Sequence, residues 1–498
     1  MIFKTGKLMF TRSNFLKIIA LILIIISFNC KQNGTKKSLL LYCAAGVKPV
    51  VEKVAQQYFE DYGVRIDLQY GGSGTLLSNL RVAKQGDLYL AADKSYIEEA
   101  LKYDLIRETQ PLAFIKPVIA VAKGNPKNIK TIEDLFVEDV KVAIANPDAA
   151  SIGRLTKKMF RASNQWEALE NNISVLMPTV NEVANTIKLG TSDAGIIWDA
   201  TANQYEAIEI IDVPQFDDYV KNITIGVLGV SEQSTEALKF LRYLASKDKG
   251  LNVFNEFSYR PIAGDSWSEK PELLFYSGGV NRLAIDKTIQ TFEEREGVVV
   301  SRVYNGCGIL VSQIKAGQQP DAYLSCDVSF MTQVEDQFNT ITDISKTNIV
   351  IAVEKGNPKN IQSLIDLTTE GLQLGICNYN QSALGALTKN LLESQDIWEA
   401  VYENVRSQTP TADLLVNQIR TGSLDAVIVY EANISQVMDK LDMVRLSEEH
   451  ANALQNFGIL SNSKNQNTMK RLLKALTNEN SKKSYLEHGF EWKYNHVN

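Results

Sequence analysis

Histidine is nearly missing from this 498-residue chain. The three that occur, His450, His488 and His496, all stand near the C-terminus, so the first 449 residues hold no Ser-His-Asp triad, HExxH zinc motif or histidine proton relay. Many enzyme classes are excluded by that absence alone. Cysteine is also scarce: Cys30, Cys43, Cys307, Cys326 and Cys377 show no CxxC spacing, which excludes a zinc ribbon and a disulfide-dense mini-protein. Basic charge is not in excess. From Cys30 onward 48 basic and 58 acidic residues leave −10, which argues against a nucleic-acid partner. What is present, 45% hydrophobic and 22% charged residues, is ordinary for a folded chain of about two to four domains.

One long apolar run exists, Ile18 to Ile26, and it follows Lys4, Lys7, Arg12 and Lys17 in a segment without acids. Basic start, short apolar centre and Ser27-Phe28-Asn29-Cys30 together have the plan of a bacterial secretory signal over residues 1–29. Its apolar length falls well short of the roughly 20 residues that span a bilayer, so a permanent transmembrane anchor is the weaker reading. Cys30 resembles the lipidation cysteine of bacterial lipoproteins, although Phe28-Asn29 departs from the usual small residues. A periplasmic or cell-envelope protein held to the membrane by a lipid anchor, with residues 30–37 as tether, is the expectation. Simple cleavage of the signal is the alternative.

The chain also repeats itself. Ile119-Ala-Val followed by Lys123-Gly-Asn-Pro-Lys-Asn-Ile129 returns as Ile351-Ala-Val followed by Lys355-Gly-Asn-Pro-Lys-Asn-Ile361, an offset of 232 residues. The same offset pairs Trp166-Glu-Ala with Trp398-Glu-Ala, Gly153 with Gly385 and Asp193-Ala194 with Asp425-Ala426. So long a period is no solenoid repeat, and each copy must bury its own core. The spacing divides the mature chain into a copy over 38–262, a linker over 263–271 rich in polar residues, and a copy over 272–498.

Within each copy short apolar runs alternate with helical periodicity. Strands are expected over 39–43, 64–70, 87–91, 117–122, 140–145 and 194–198, and again over 273–276, 298–304, 321–324, 348–353, 372–377 and 426–430. Helices are expected between them, for example from Pro49, where Val50, Val51, Val54, Ala55, Tyr58 and Phe59 share a face. Such alternation implies parallel sheets covered by helices, hence two bilobed clamps. Ligands of such sheets sit beyond the carboxyl ends of the strands, where helix N-termini aim free amides outward. The first copy places Ala44-Ala45-Gly46, Gly72-Ser73-Gly74, residues 146–151 and Thr179-Val180-Asn181 there.

At these residues the chain resembles the periplasmic molybdate-binding protein family, twice over nearly the whole mature length. The pattern appears as Tyr42 to Gly46, Gly71 to Gly74, Asp87-Leu-Tyr-Leu-Ala-Ala-Asp93, Lys123 to Pro126, Asn146-Pro147, Ala194-Gly-Ile-Ile-Trp198 and Arg260-Pro261-Ile262. The resemblance implies an α/β fold of tandem duplicated type II periplasmic binding protein units, each with two α/β lobes around a cleft. It implies no enzyme and no cofactor. Such proteins hold a tetrahedral oxyanion through hydroxyls, backbone amides and a tyrosine, and deliver it to an ABC permease. Carried over, the ligand positions are Gly46 beside Ala45, Ser73 after Gly72, Ser151, Val180 and Trp198 in the first copy. In the second they are Gly279, Cys307, Ala383, Ala412 and Tyr430, with Ser277 as a substitute hydroxyl. The first copy thus lacks a hydroxyl at Gly46 and a phenol at Trp198.

Several of these residues also have ordinary structural readings. The Gly71 to Gly74 run is by itself only a tight turn, and Trp198 is either a core aromatic or a cleft wall. Cys307, Cys326 and Cys377 are expected near the second cleft. Three thiolates there would suit Cu(I), but buried small residues with one disulfide are the favoured reading, and no metal is assigned. Arg154 suits either an anion or solvent. The expected partners are a small oxyanion (molybdate, tungstate or sulfate), an ABC permease and the membrane. The rival is a sensor or scaffold in which one or both clefts no longer bind an oxyanion.

Overall fold

The computed structural model describes residues 38–448 and 450–495. The signal segment, Cys30 and the whole tether lie outside the described residues.

The first strand, Ser38–Ala44, buries Leu39, Leu41, Tyr42 and Cys43, as a strand covered on both faces must. The helix Lys48–Tyr62 follows, started by a proline in its first turn and packed through Val50, Val51, Val54, Ala55 and Tyr58. The chain returns as Arg65–Gly71, runs through the helix Ser73–Ala83, and returns again as Leu88–Ala91. Both later strands pair in parallel with the first.

The sheets are mixed, which corrects the expectation of parallel sheets. Lys221–Leu228 enters antiparallel to Leu88–Ala91, and Ile106–Ile115 pairs antiparallel with it in turn. These strands carry the chain between lobes, so their direction follows from the route and not from a βαβ crossover. The second lobe orders its strands Ile173–Met177, Val142–Ala145, Ala194–Trp198, Pro117–Ala122 and Ile208–Ile211.

The second copy repeats this plan with one difference. Its lobes share a single strand, Phe338–Glu354, where the first copy has Ile106–Ile115 and Pro117–Ala122. Proline has no N–H. At the position of Pro117 the second copy has Ile349, whose N–H donates to the Ala451 carbonyl at 2.8 Å. The ladder is therefore continuous in one copy and interrupted in the other.

The linker is short and pinned. Asp265 accepts from the Asn467 and Thr468 amides at 2.8 and 3.0 Å, and the Trp267 indole N–H donates to Tyr62 at 2.9 Å. Beside it the copies meet around Glu296, which is 2% exposed. Its carboxylate accepts from Arg471 Nε and Nη2 at 2.9 and 2.6 Å and lies 3.4 Å from Arg242 Nη1. Arg471 also donates to Gln110 Oε1 at 2.8 Å, and Arg295 pairs with Glu108. Among the described residues no helix is long and apolar enough to cross a membrane.

Candidate functional site

In each copy the expected loops converge between the lobes. Ser73, Ser151 and Val180 are each the first residue of a helix and each is buried, so three helix N-termini point into the first cleft. Gly46 lies in the short turn Ala45–Val47 opposite them. A Cβ on Gly46 would stand 3.1 Å from Val180 Cγ1, 3.6 Å from Trp198 Cδ1 and 3.6 Å from Thr201 Oγ1. Gly46, Val180 and Trp198 therefore meet at one point, with Trp198 2% exposed and packed in the core at the end of its strand.

Thr201 was not singled out from sequence. Its hydroxyl is buried without a hydrogen-bond partner and stands next to the position where the resemblance lacks one. Tyr259, also missed, donates its phenol to the Gly46 carbonyl and so fixes that turn. No local signal marks either residue, because the return of the chain brings them to the cleft.

The Ser73 hydroxyl accepts from the Ala92 amide at 3.2 Å, which leaves its own proton free to donate. Across the cleft the amides of Gly74 and Thr75 donate to the Ala149 carbonyl at 2.9 and 3.1 Å. The lobes are thus joined by backbone hydrogen bonds. The approach requires glycine: a Cβ on Gly72 would lie 2.3 Å from the Ala149 oxygen and 3.0 Å from that of Pro178. Arg154 takes no part. It lies over the Tyr96 ring and pairs with Glu99 at 3.2 Å.

The second cleft has the same frame and different chemistry. Gly308 donates to the Gln381 carbonyl at 3.1 Å, the counterpart of the contact to Ala149. Cys307 takes the place of Ser73 and Cys326 that of Ala92, and the two form a disulfide with Cα atoms 6.2 Å apart. That bond consumes two of the three thiols a Cu(I) site would need. Cys377 is free and buried, and burial pushes its thiol up to about 12.

Of the residues expected here, Gly279, Ala412 and Tyr430 line a small cavity with Cys326, Ser382 and Thr411. Ala383 is buried as the first residue of its helix. Ser277 is fully buried, accepts from Asn281 Nδ2 at 3.4 Å and donates to the Gly278 carbonyl at 3.2 Å, so its hydroxyl is engaged in its own turn. Burial and the charge of Asp327 hold the Tyr430 phenol well above its ordinary pKa, so it stays a donor. Asp413 and Asn433, both missed from sequence, also line the cavity and stand 232 positions after Asn181 and Thr201.

The pattern of bacterial extracellular solute-binding proteins matches residues 39–260 and again residues 273–491. The chain belongs to that family. Members bind solutes and are not enzymes, and this solute-binding protein carries two tandem copies of the domain. A relative from Haemophilus influenzae named "Putative binding protein" is 28% identical over 224 residues, covering 45% of this chain and 91% of the relative. A Bacillus subtilis relative named "Putative ABC transporter substrate-binding lipoprotein YvgL" is 22% identical over 255 residues, 50% of this chain and 97% of its own. The molybdate-binding protein ModA of Mycobacterium tuberculosis is 28% identical over 155 residues, 30% of this chain and 58% of that protein.

Proposed function

We propose that this solute-binding protein is exported, anchored to the membrane through a lipid on Cys30, and captures a small oxyanion in its first cleft for an ABC permease. The observation that carries the reading is the Thr201 hydroxyl, buried and unpartnered beside Gly46 among three helix N-termini. With Ser73 it supplies two neutral hydroxyl donors, and the helix ends supply amides. Two hydroxyls and the helix amides against the single orphan acceptor Asn181 Oδ1 favour a fully ionised ion, because each donor left unpaired costs about 1–3 kcal/mol. Molybdate, tungstate and sulfate meet that requirement. The ModA name of one relative and the transporter lipoprotein name of another support this reading.

The test is thermal unfolding and calorimetry of the chain with each of the three ions. A ligand at 100 times its Kd adds about 2.7 kcal/mol to native stability. An upshift with one ion that disappears in Thr201→Val is the expected outcome; no response to any of the three sinks the reading. Labelling by a radioactive fatty acid that survives Cys30→Ser would sink the anchor.

The sensor or scaffold reading is favoured by one feature, Trp198, an indole where the resemblance expects a phenol. A chain that binds none of the three ions but holds a signalling partner through its outer faces would decide for it.

A further inference from the structure

The two clefts share a frame, and at two of the matched positions where they differ the change has the same sign. Where the first has Thr201, a hydroxyl that donates, the second has Asn433, whose Oδ1 is buried and unpartnered and can only accept. Where the first has the neutral amide Asn181, whose Oδ1 is also buried and unpartnered, the second has Asp413, whose charged carboxylate stands at the cavity mouth and accepts from Asn433 Nδ2 at 3.1 Å. The second cavity therefore holds acceptors that a fully ionised anion cannot satisfy.

It also holds donors that call for an anion. The helix Ala412–Arg420 begins there without a side-chain cap, whereas its counterpart Val180–Lys188 is closed by Thr179 and Glu182. Leu414 stands where Glu182 would be, so no capping-box carboxylate folds back on the helix start, and the one first-turn carboxylate, Asp413, accepts from Asn433 instead. The helix Ala383–Glu393 likewise starts at the cavity without a side-chain cap. The Tyr430 hydroxyl, on a residue 2% exposed, has no partner and lines the same space. The cavity measures about 20 Å³, room for about one water, so a tetrahedral ion enters only as the two lobes move apart to receive it.

We propose that the second cleft takes a protonated tetrahedral oxyanion of the hydrogen phosphate class, its bare oxygens facing the helix amides and Tyr430 and its O–H facing Asp413 or Asn433. This rests on the reading of the clefts as oxyanion sites and divides the two copies by the protonation state of what they bind. Phosphate and sulfate share shape and size, so the O–H is what distinguishes them near neutral pH.

The experiment is calorimetric titration of the chain at pH 7 with inorganic phosphate, sulfate, molybdate and glycerol 3-phosphate, in wild type, Asp413→Asn and Tyr430→Phe. The site in question is the one weakened by Tyr430→Phe. Phosphate is expected to bind it at least tenfold more tightly than sulfate or the phosphomonoester, and Asp413→Asn is expected to erase that preference by favouring sulfate. Asp413→Asn replaces an exposed side chain by its isostere, and an unchanged melting temperature without ligand shows that it folds. Sulfate binding at this site as tightly as phosphate, preference for the phosphomonoester, or a preference untouched by Asp413→Asn overturns the proposal while leaving the oxyanion reading standing. Silence towards all ions, molybdate included, overturns both.

Discussion

Replacing Glu296 by glutamine tests whether the two copies unfold as one body. The substitution keeps the Oε1 acceptor and removes the charge that neutralises Arg242 and Arg471, both buried at 7% and 8% exposure. Arg242 Nε already has no hydrogen-bond partner, so the site has little spare compensation. Removing one partner of a buried ion pair costs about 3–5 kcal/mol, because the remaining charge stays desolvated. For a unit of 150–250 residues each kcal/mol is worth about 2–4 °C, so the melting temperature should fall by roughly 6–20 °C. Because Arg242 belongs to the first copy and Glu296 and Arg471 to the second, the loss should also split one cooperative transition into two. Differential scanning calorimetry reads both quantities. A single transition that moves by less than about 2 °C would refute the argument and show that water or a relaxed geometry satisfies the arginines.

Three further outcomes follow from contacts at the clefts. Gly72→Ala, and separately Gly306→Ala, would drive a Cβ to 2.3 and 2.4 Å from the carbonyls of Ala149 and Gln381. Each should hold its own clamp open, read as a larger radius of gyration by small-angle scattering and at least tenfold weaker ligand binding in that copy; an unchanged radius refutes the contact. Reducing Cys307–Cys326, which spans 19 residues, should destabilise the chain by about 3 kcal/mol in urea titration, and in Glu296→Gln the loss should fall on the second copy's transition alone. The Cys377 thiol, raised to about 12 by burial, should resist iodoacetamide at pH 8 until the chain unfolds. Its raised pKa also means that its contribution to stability is intact below the unfolded-state value near 9 and declines as the pH climbs from there toward 12.

The apolar runs around Leu41, Ile119 and Ile196 were legible because central strands are buried on both faces and leave continuous hydrophobic stretches. Ile106–Ile115 and Lys221–Leu228 were not, since an edge-facing strand such as Ile106–Ile115 mixes Arg107, Glu108 and Gln110 with its apolar residues. Thr201 and Asn433 became visible only in three dimensions. Each sits just past a strand whose pattern was recognised, but what makes it a cleft residue is the missing hydrogen-bond partner, a property of the neighbours and not of the residue. Which of three cysteines pair was likewise beyond spacing, because sequence separation does not report Cα distance.

The interruption at Pro117 gives the two clamps unequal mechanics. In the first copy the chain crosses from lobe to lobe at Lys116, between two strands that end and begin there. In the second the crossing is the middle of Phe338–Glu354, so opening has to twist a ladder bonded to Asn452–Leu460 on one side of the crossing and to Ala426–Tyr430 on the other. One clamp is jointed and the other is sprung. On the proposed reading the two clefts differ in compliance as well as chemistry, and the jointed one is expected to release its ligand at the lower mechanical cost.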